Sequence, residues 1–218
     1  MIGRRRLPAE RPGVAPVGYK VAALLLSVDG DRASFAGVSI GRGQPYGVEA
    51  EARCAYGRRH RPPAARCDCG FYCLNAESDA RELMCVTEYR HAALLRVDVL
   101  GGYIRFERGF RYSRQRVTSV WVGACGCGNP AELLVDAGTG VVGRRGLVGS
   151  CTGCASGRVG LSFGSYARLA GVPVAADASP YVRGEYEIVP QLVAEVTLLQ
   201  ARLDRCQEQL GRLLGSDP

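Results

Sequence analysis

Two cysteine pairs, Cys125-x-Cys127 and Cys151-x2-Cys154, separated by 23 residues, constrain this chain more than any other feature. Four thiolates carried on two turns can close a tetrahedron around a metal ion only if the segment between them leaves and returns to the same place. The intervening "AELLVDAGTGVVGRRGLV" supplies that path, with two β-like runs on either side of "GTG", the pattern of a hairpin. Gly126, Gly128 and Gly153 allow the backbone to wrap tightly around the sulfurs. A zinc ribbon is therefore expected over residues 123–176. Its first pair has a one-residue spacer where two are usual, and free or oxidised thiols are the alternative.

A second set lies upstream, in "CAYGRRHRPPAARCDCGFYC", residues 54–73. Cys54-x5-His60-x6-Cys67-x-Cys69 offers three thiolates and an imidazole in a segment that Pro62, Pro63 and Gly70 can turn, a donor set suited to structural zinc. Together the sets imply about two zinc ions per chain. The competing possibility is a loop of small buried cysteines with a solvated His60. Cys73 could replace Cys67 or Cys69 as a ligand, and Cys85, in a helical stretch, suits core packing. A thiol enzyme is also conceivable, because Arg61 and Arg66 would lower a nearby thiol pKa and His60 could serve as base. No orienting third group, oxyanion motif, phosphate loop or serine elbow accompanies them. Two sites saturated by protein ligands leave no open coordination position for hydrolysis. A non-enzymatic scaffold is expected ahead of a cysteine-dependent enzyme.

No apolar run is long enough for a signal sequence or a membrane span, so a cytoplasmic protein without membrane contact is expected, and a reducing cytoplasm favours metal over disulfide for ten cysteines. The net charge of +7 comes from 27 arginines and a single lysine, Lys20, against 21 acids. Arginine is the side chain best matched to phosphate, which makes nucleic acid, DNA or RNA, the expected partner. Arg58, Arg59 and Arg61 lie beside the first ligand set. In "YIRFERGFRYSRQR", Tyr103, Arg105, Arg108, Arg111, Tyr112 and Arg114 interleave rings with guanidinium groups, as stacking on bases and contact with a phosphate backbone require. A solvated strand face with tyrosines as cross-strand partners is the alternative.

The expected fold class is α+β. Residues 1–18, with "RRR" and three prolines, read as a flexible tail. Residues 19–122 read as a small, mostly antiparallel β domain containing the first zinc site. It opens with a hairpin across Asp29–Asp31, continues through one helix in "NAESDARELMCVTEYR", and ends in three strands joined by glycine turns, one of them at Gly101-Gly102. Toward the end of the ribbon unit come a short helix at "GSYARLAG", stopped by Gly171, and "VPVAADASP", read as a linker, with the linker segment bounded at 177–187. Val189, Leu192, Val196, Leu199, Leu203, Cys206, Leu210 and Leu213 then form an unbroken heptad seam, so residues 188–214 are expected to be a coiled-coil helix that makes a homodimer or binds a helical protein partner.

The run "HRPP", then "CDCGFY", then "FERGFR" resembles a group of uncharacterised proteins of actinobacteria and their phages that share a Cys-x-Cys-Gly-x-Tyr segment and a Glu-Arg-Gly-aromatic-Arg turn. The likeness covers residues 19–122, with a looser zinc-ribbon likeness over 123–176. It gives His60, Cys67, Cys69, Glu107, Arg108 and Gly109 family status but no role, and a PUA-like barrel is its fold analogy. Where such proteins commonly have a small residue after the tyrosine, this chain has Cys73. The function expected from all of this is a zinc-stabilised nucleic-acid-binding or regulatory protein. The alternative is an adaptor that recruits partners through its coiled coil and ribbon.

Overall fold

The computed structural model describes residues 13–38, 44–85, 89–178 and position 207. The heptad segment expected as a coiled coil, most of the expected tail and all but the first residues of the linker lie outside the described residues. In chain order the elements are β1 (Val17–Ser27), β2 (Ala33–Gly37), β3 (Pro45–Tyr46), β4 (Glu49–Glu51), β5 (Phe71–Leu74), α1 (Glu77–Cys85), β6 (Ala93–Phe106), β7 (Gly109–Val122), β8 (Leu133–Val141), β9 (Arg144–Ser150), β10 (Gly160–Ser162), α2 (Phe163–Ala170) and β11 (Val174–Ala176). Among the described residues the eleven strands belong to one sheet, antiparallel except where β11 runs parallel to β7.

The opening hairpin forms because "LLLS" and "ASFA" can pair across a short polar turn, with Leu24 opposite Phe35 and Leu26 opposite Ala33. Strand β1 also pairs with β6 and β5, and both of those pair with β7, so the hydrogen-bonded path β1–β6–β7–β5 returns to its start. A closed path removes the exposed edges that would otherwise invite association. Alternation then decides what lies inside: Ala22, Leu24 and Leu26 of β1 and Leu95, Val97 and Val99 of β6 meet Phe110, Tyr112 and Val117 of β7 in one core cluster. A chain of rings crosses it, with Phe35 to Tyr46 at 5.9 Å, Tyr46 to Phe71 at 5.4 Å and Phe71 to Tyr112 at 5.9 Å between centroids. Each fully buried side chain of this size contributes about 1.5–3 kcal/mol.

Several sequence-based expectations change here. Gly101-Gly102 is not a turn: β6 runs through it, with a register shift between Leu100 and Tyr103 and a positive φ of 70° at Gly101, the signature of a bulge. The chain reverses instead at Glu107-Arg108, leaving two long strands where three were expected. The β8–β9 hairpin does not stand alone as a ribbon unit, since Arg144–Leu147 pair with Leu24–Ser27 of β1 and Leu134 and Leu147 join the common core. The "VPVAADASP" stretch is tied in as well. Val174–Ala176 form β11, the Asp177 amide donates to Val122, and its carboxylate accepts from Arg81 of α1. Helix α2 is as expected, begun by Ser162, whose hydroxyl accepts from the Ser165 amide, and ended by Gly171 at φ 75°.

One glycine shows how closely β5 and β7 are pressed together. A Cβ on Gly109 would lie 2.1 Å from the Cys73 carbonyl oxygen and 3.1 Å from the Leu74 Cα, backbone atoms that cannot yield without breaking the pairing. Gly109→Ala is expected to destabilise the fold by about 1–3 kcal/mol, read as a lower urea midpoint with an unchanged slope.

Candidate metal centres

Strand β7 builds the first centre without contributing a ligand. Glu49–Glu51 of β4 pair with Arg114–Arg116, and β5 pairs with Gly109–Tyr112, so the two ends of the loop between β4 and β5 lie side by side along one strand edge. Cys54 leaves β4 in a turn closed by the Gly57 amide on the Cys54 carbonyl, with Gly57 at φ 66°. Cys67 and Cys69 sit just before β5, and the Cys67 amide donates to the Ala64 carbonyl. The ligand atoms of Cys54, His60, Cys67 and Cys69 all fall within 4.8 Å of one another. The Cys54 and Cys67 sulfurs are 3.8 Å apart, and the Cys69 sulfur is 3.0 Å from His60 Nε2. Sulfurs bound to zinc at ~2.3 Å in a tetrahedron stand about 3.8 Å apart, so the first spacing is that of a metal tetrahedron.

Arg111 locks this loop in place. It is buried, its Nη2 donates to the Ala64 carbonyl at 3.1 Å, and its Nη1 donates to the Cys67 carbonyl. The guanidinium also lies 6.0 Å from the Phe106 ring and 3.7 Å from the Asp68 carboxylate. Gly70, at φ 127°, lets the chain pass over it: a Cβ there would meet the Arg111 side chain at 3.1 Å.

The second centre joins the end of β7 to the end of β9. Cys125–Gly128 form a tight turn in which the Gly128 amide donates to the Cys125 carbonyl at 2.8 Å, with Gly128 at φ 93°. Cys151 follows Ser150 directly and opens a second turn, with the Ala155 amide on the Cys151 carbonyl at 3.0 Å. The Glu132 carboxylate braces that turn by accepting from the Thr152 amide at 2.7 Å, a bond that also holds its pKa below the usual carboxylate range. The Cys127 and Cys151 sulfurs are 3.6 Å apart, and all four ligand atoms are mutually within 4.8 Å. Cys125 and Cys151 are buried while Cys127 and Cys154 face solvent, so one side of this centre is open to water.

The electrostatics of the sulfurs fit metal ligation. Backbone amides of Cys127 and Cys151 aimed at Cys125 bring its thiol down to about 6. The Cys154 amide lowers Cys151 in the same way. Cys154 is pushed up to about 12, first by its hydrogen bonds to Cys127 and Cys151, because four close sulfurs cannot all ionise without a cation among them. In the first centre burial raises Cys54, but amides of Tyr56 and Arg58 outweigh it and leave the thiol below its ordinary value, whereas burial raises Cys69. Amides donating to thiolate and a charge deficit at the centre are what a divalent cation satisfies.

The eight residues read from sequence as ligands thus come together in two sets of four. Cys73 does not join them. It points into the core on β5, close enough that a Cβ on Gly18 would meet its sulfur at 2.2 Å. Cys85 bonds the Arg81 carbonyl within α1. Of the residues assigned to nucleic acid, Arg58, Arg59, Arg61, Arg105 and Arg114 are exposed. Arg108 is exposed but paired with Asp79 at 3.1 Å and with Glu82. Tyr103 packs half-buried, edge-on to Phe110 at 5.7 Å. Two assignments are corrected: Arg111 is occupied in holding the first ligand loop, and Tyr112 is fully buried in the core with its hydroxyl on Gln115. Both lie beyond the reach of a nucleic acid.

No family model matches the chain, no curated protein is significantly similar to it, and no solved structure significantly resembles its fold. What the fold and the two centres define is a mostly antiparallel β protein whose Cys/His clusters are compatible with about two metal ions.

Proposed function

We propose that this chain is a non-enzymatic nucleic-acid-binding protein, stabilised by zinc at both centres, that contacts phosphate through the loop carrying the first ligand set. The observation that carries this reading is the charge pattern of that loop. Arg53, Arg58, Arg59, Arg61 and Arg66 are all exposed, and no acid occurs between Arg53 and Arg66. Elsewhere the exposed cations Arg108 and Arg116 are already paired with Asp79 and Glu49. Tyr56, half exposed and 5.9 Å from the Arg58 guanidinium, offers a ring on which an unpaired base can stack. Zinc suits both donor sets, because thiolates and imidazole in a closed tetrahedron are its structural ligands. Four protein ligands per ion leave no position for substrate, which favours a scaffold over a catalyst.

Phosphate contact has a measurable signature. Binding of labelled single-stranded and duplex DNA and RNA, followed by anisotropy, is expected to weaken steeply with salt. A triple variant with Arg58→Gln, Arg59→Gln and Arg61→Gln is expected to weaken it roughly tenfold or more and to reduce the salt slope by about 2–3. Absence of binding to all four nucleic acids at low salt overturns the reading.

A further inference from the structure

Strand β1 carries one residue out of keeping with its neighbours. Lys20, the single lysine of the chain, shares the inward face with Ala22, Leu24 and Leu26 and is buried. Its Nζ lies 4.8 Å from the ring centroids of both Tyr46 and Phe71 and donates to Gln115 Oε1 at 3.3 Å. That oxygen also accepts from the Tyr112 hydroxyl at 2.9 Å. Gln115 is fully buried with its side chain against the buried Tyr46 hydroxyl, though neither its Nε2 nor that hydroxyl completes a full hydrogen bond. Polar atoms short of a full hydrogen bond inside a core are costly.

The chemistry of the knot is one-sided. Amine, amide N–H and phenol are donors, and among the described residues no carboxylate pairs with Lys20. Burial brings the lysine down to about 8, and it pushes the neighbouring Cys73 thiol up to about 11, so that thiol supplies no counter-charge at neutral pH. Lys20, Tyr46, Phe71 and Cys73 line a cavity of about 1080 Å³ whose wall continues over Phe106 and Phe110 and carries Glu49, Glu51, Arg53 and Arg108 toward its rim. Apolar and aromatic walls with a few convergent polar groups are the make-up of a small-molecule site.

We propose that this cavity binds a small organic carboxylate with a flat apolar body, its oxygens accepting from Lys20 and the Tyr46 hydroxyl and its body lying along the Tyr46 and Phe71 rings. The carboxylate supplies an acceptor and the absent counter-charge together, with Gln115 holding the amine from behind. One cation at the floor favours a monoanion over a phosphate. The cavity borders the arginine loop, with Arg53, Ala55 and Cys69 in its wall, but the proposed contacts use none of that loop's arginines.

A chain with one lysine allows a clean test. In the metal-loaded full chain labelled with ¹⁵N-lysine, the Lys20 Nζ gives one side-chain signal to follow during titration with benzoate and with the neutral benzyl alcohol. Benzoate is expected to shift that signal saturably in the millimolar range or below and to raise Tm, while benzyl alcohol leaves the signal in place. Lys20→Met is expected to fold and to lose the benzoate-induced rise in Tm. If that variant does not fold, Tyr46→Phe is expected to weaken benzoate several-fold in the same titration. No shift with benzoate at tens of millimolar, an equal response to benzyl alcohol, or an undiminished benzoate effect in the variant overturns the proposal.

Discussion

Chelation of the metal from the full chain is expected to lower Tm by at least about 8–16 °C, with loss of the loop between β4 and β5 and of the turns at Cys125 and Cys151. The magnitude follows from coupling. Structural zinc binds its folded ligands with about 10–16 kcal/mol, and a domain of this size shifts by ~2–4 °C per kcal/mol, so even about 4 kcal/mol of that coupling gives the stated range. The effect is large because turns and single side chains, not strand or helix pairing, are what else holds the ligand segments. Cys54–Cys69 contain no strand or helix, and Cys127 and Cys154 are exposed. Four sulfurs crowded within 4.8 Å of one another, which cannot all ionise without a cation, would also have to separate. The β1–β6–β7 core, in contrast, is expected to persist. Circular dichroism should therefore keep its β signature while limited proteolysis cuts within residues 54–69. Unchanged Tm and unchanged proteolysis after complete chelation would mean that the cysteines pack without metal.

The second large effect is expected at Arg111. Its guanidinium donates to two loop carbonyls from a buried position, so Arg111→Met leaves the Cys67 carbonyl without that donor and the Ala64 carbonyl with the Cys67 amide alone. A buried unsatisfied carbonyl costs about 1–3 kcal/mol and the second lost bond about 1 kcal/mol, which predicts a loss of roughly 2–4 kcal/mol in denaturant unfolding. Arg111→Lys is expected to recover little of it, because one ammonium on a flexible stem cannot reproduce a planar fork with two bonds in fixed directions. A purely structural arginine elsewhere would not alter metal retention. Here the loop carries three ligands beyond Cys54, so Arg111→Met is also expected to release one metal ion to a chelator at least tenfold faster while the ion at Cys125/Cys127/Cys151/Cys154 leaves at its wild-type rate. Equal release rates in variant and wild type would restrict Arg111 to core packing.

These expectations also show what the sequence could and could not reveal. Both ligand sets were legible because metal ligation depends on residue type and spacing, which a sequence states outright. The opening hairpin and α2 were legible for the same kind of reason, the one from its β-like runs around a polar turn, the other from a short helical run stopped by Gly171. Gly101-Gly102 misled because a glycine pair serves a turn and a bulge equally well, and only the pairing of Leu100 with Arg114 and of Tyr103 with Tyr112 on β7 decides between them. Arg111 and Tyr112 misled because consecutive residues of β7 are both buried, Tyr112 toward the core and Arg111 beneath the ligand loop. No alternation rule anticipates a loop folding back over the outer face. The ribbon's fusion to β1 depends on a contact between residues more than a hundred positions apart, to which local pattern is blind. Lys20 left one faint signal, its parity with Ala22, Leu24 and Leu26 in an otherwise apolar strand. Its aromatic neighbours and Gln115 become visible only in three dimensions.

The account rests on two metal-bound tetrahedra, and metal analysis of purified chain tests it most directly. About two zinc ions per chain are expected, falling to about one in Cys69→Ser and to about one in Cys151→Ser, because each substitution removes a ligand from a different centre. A chain with no bound zinc, or a zinc content that neither substitution changes, would contradict it.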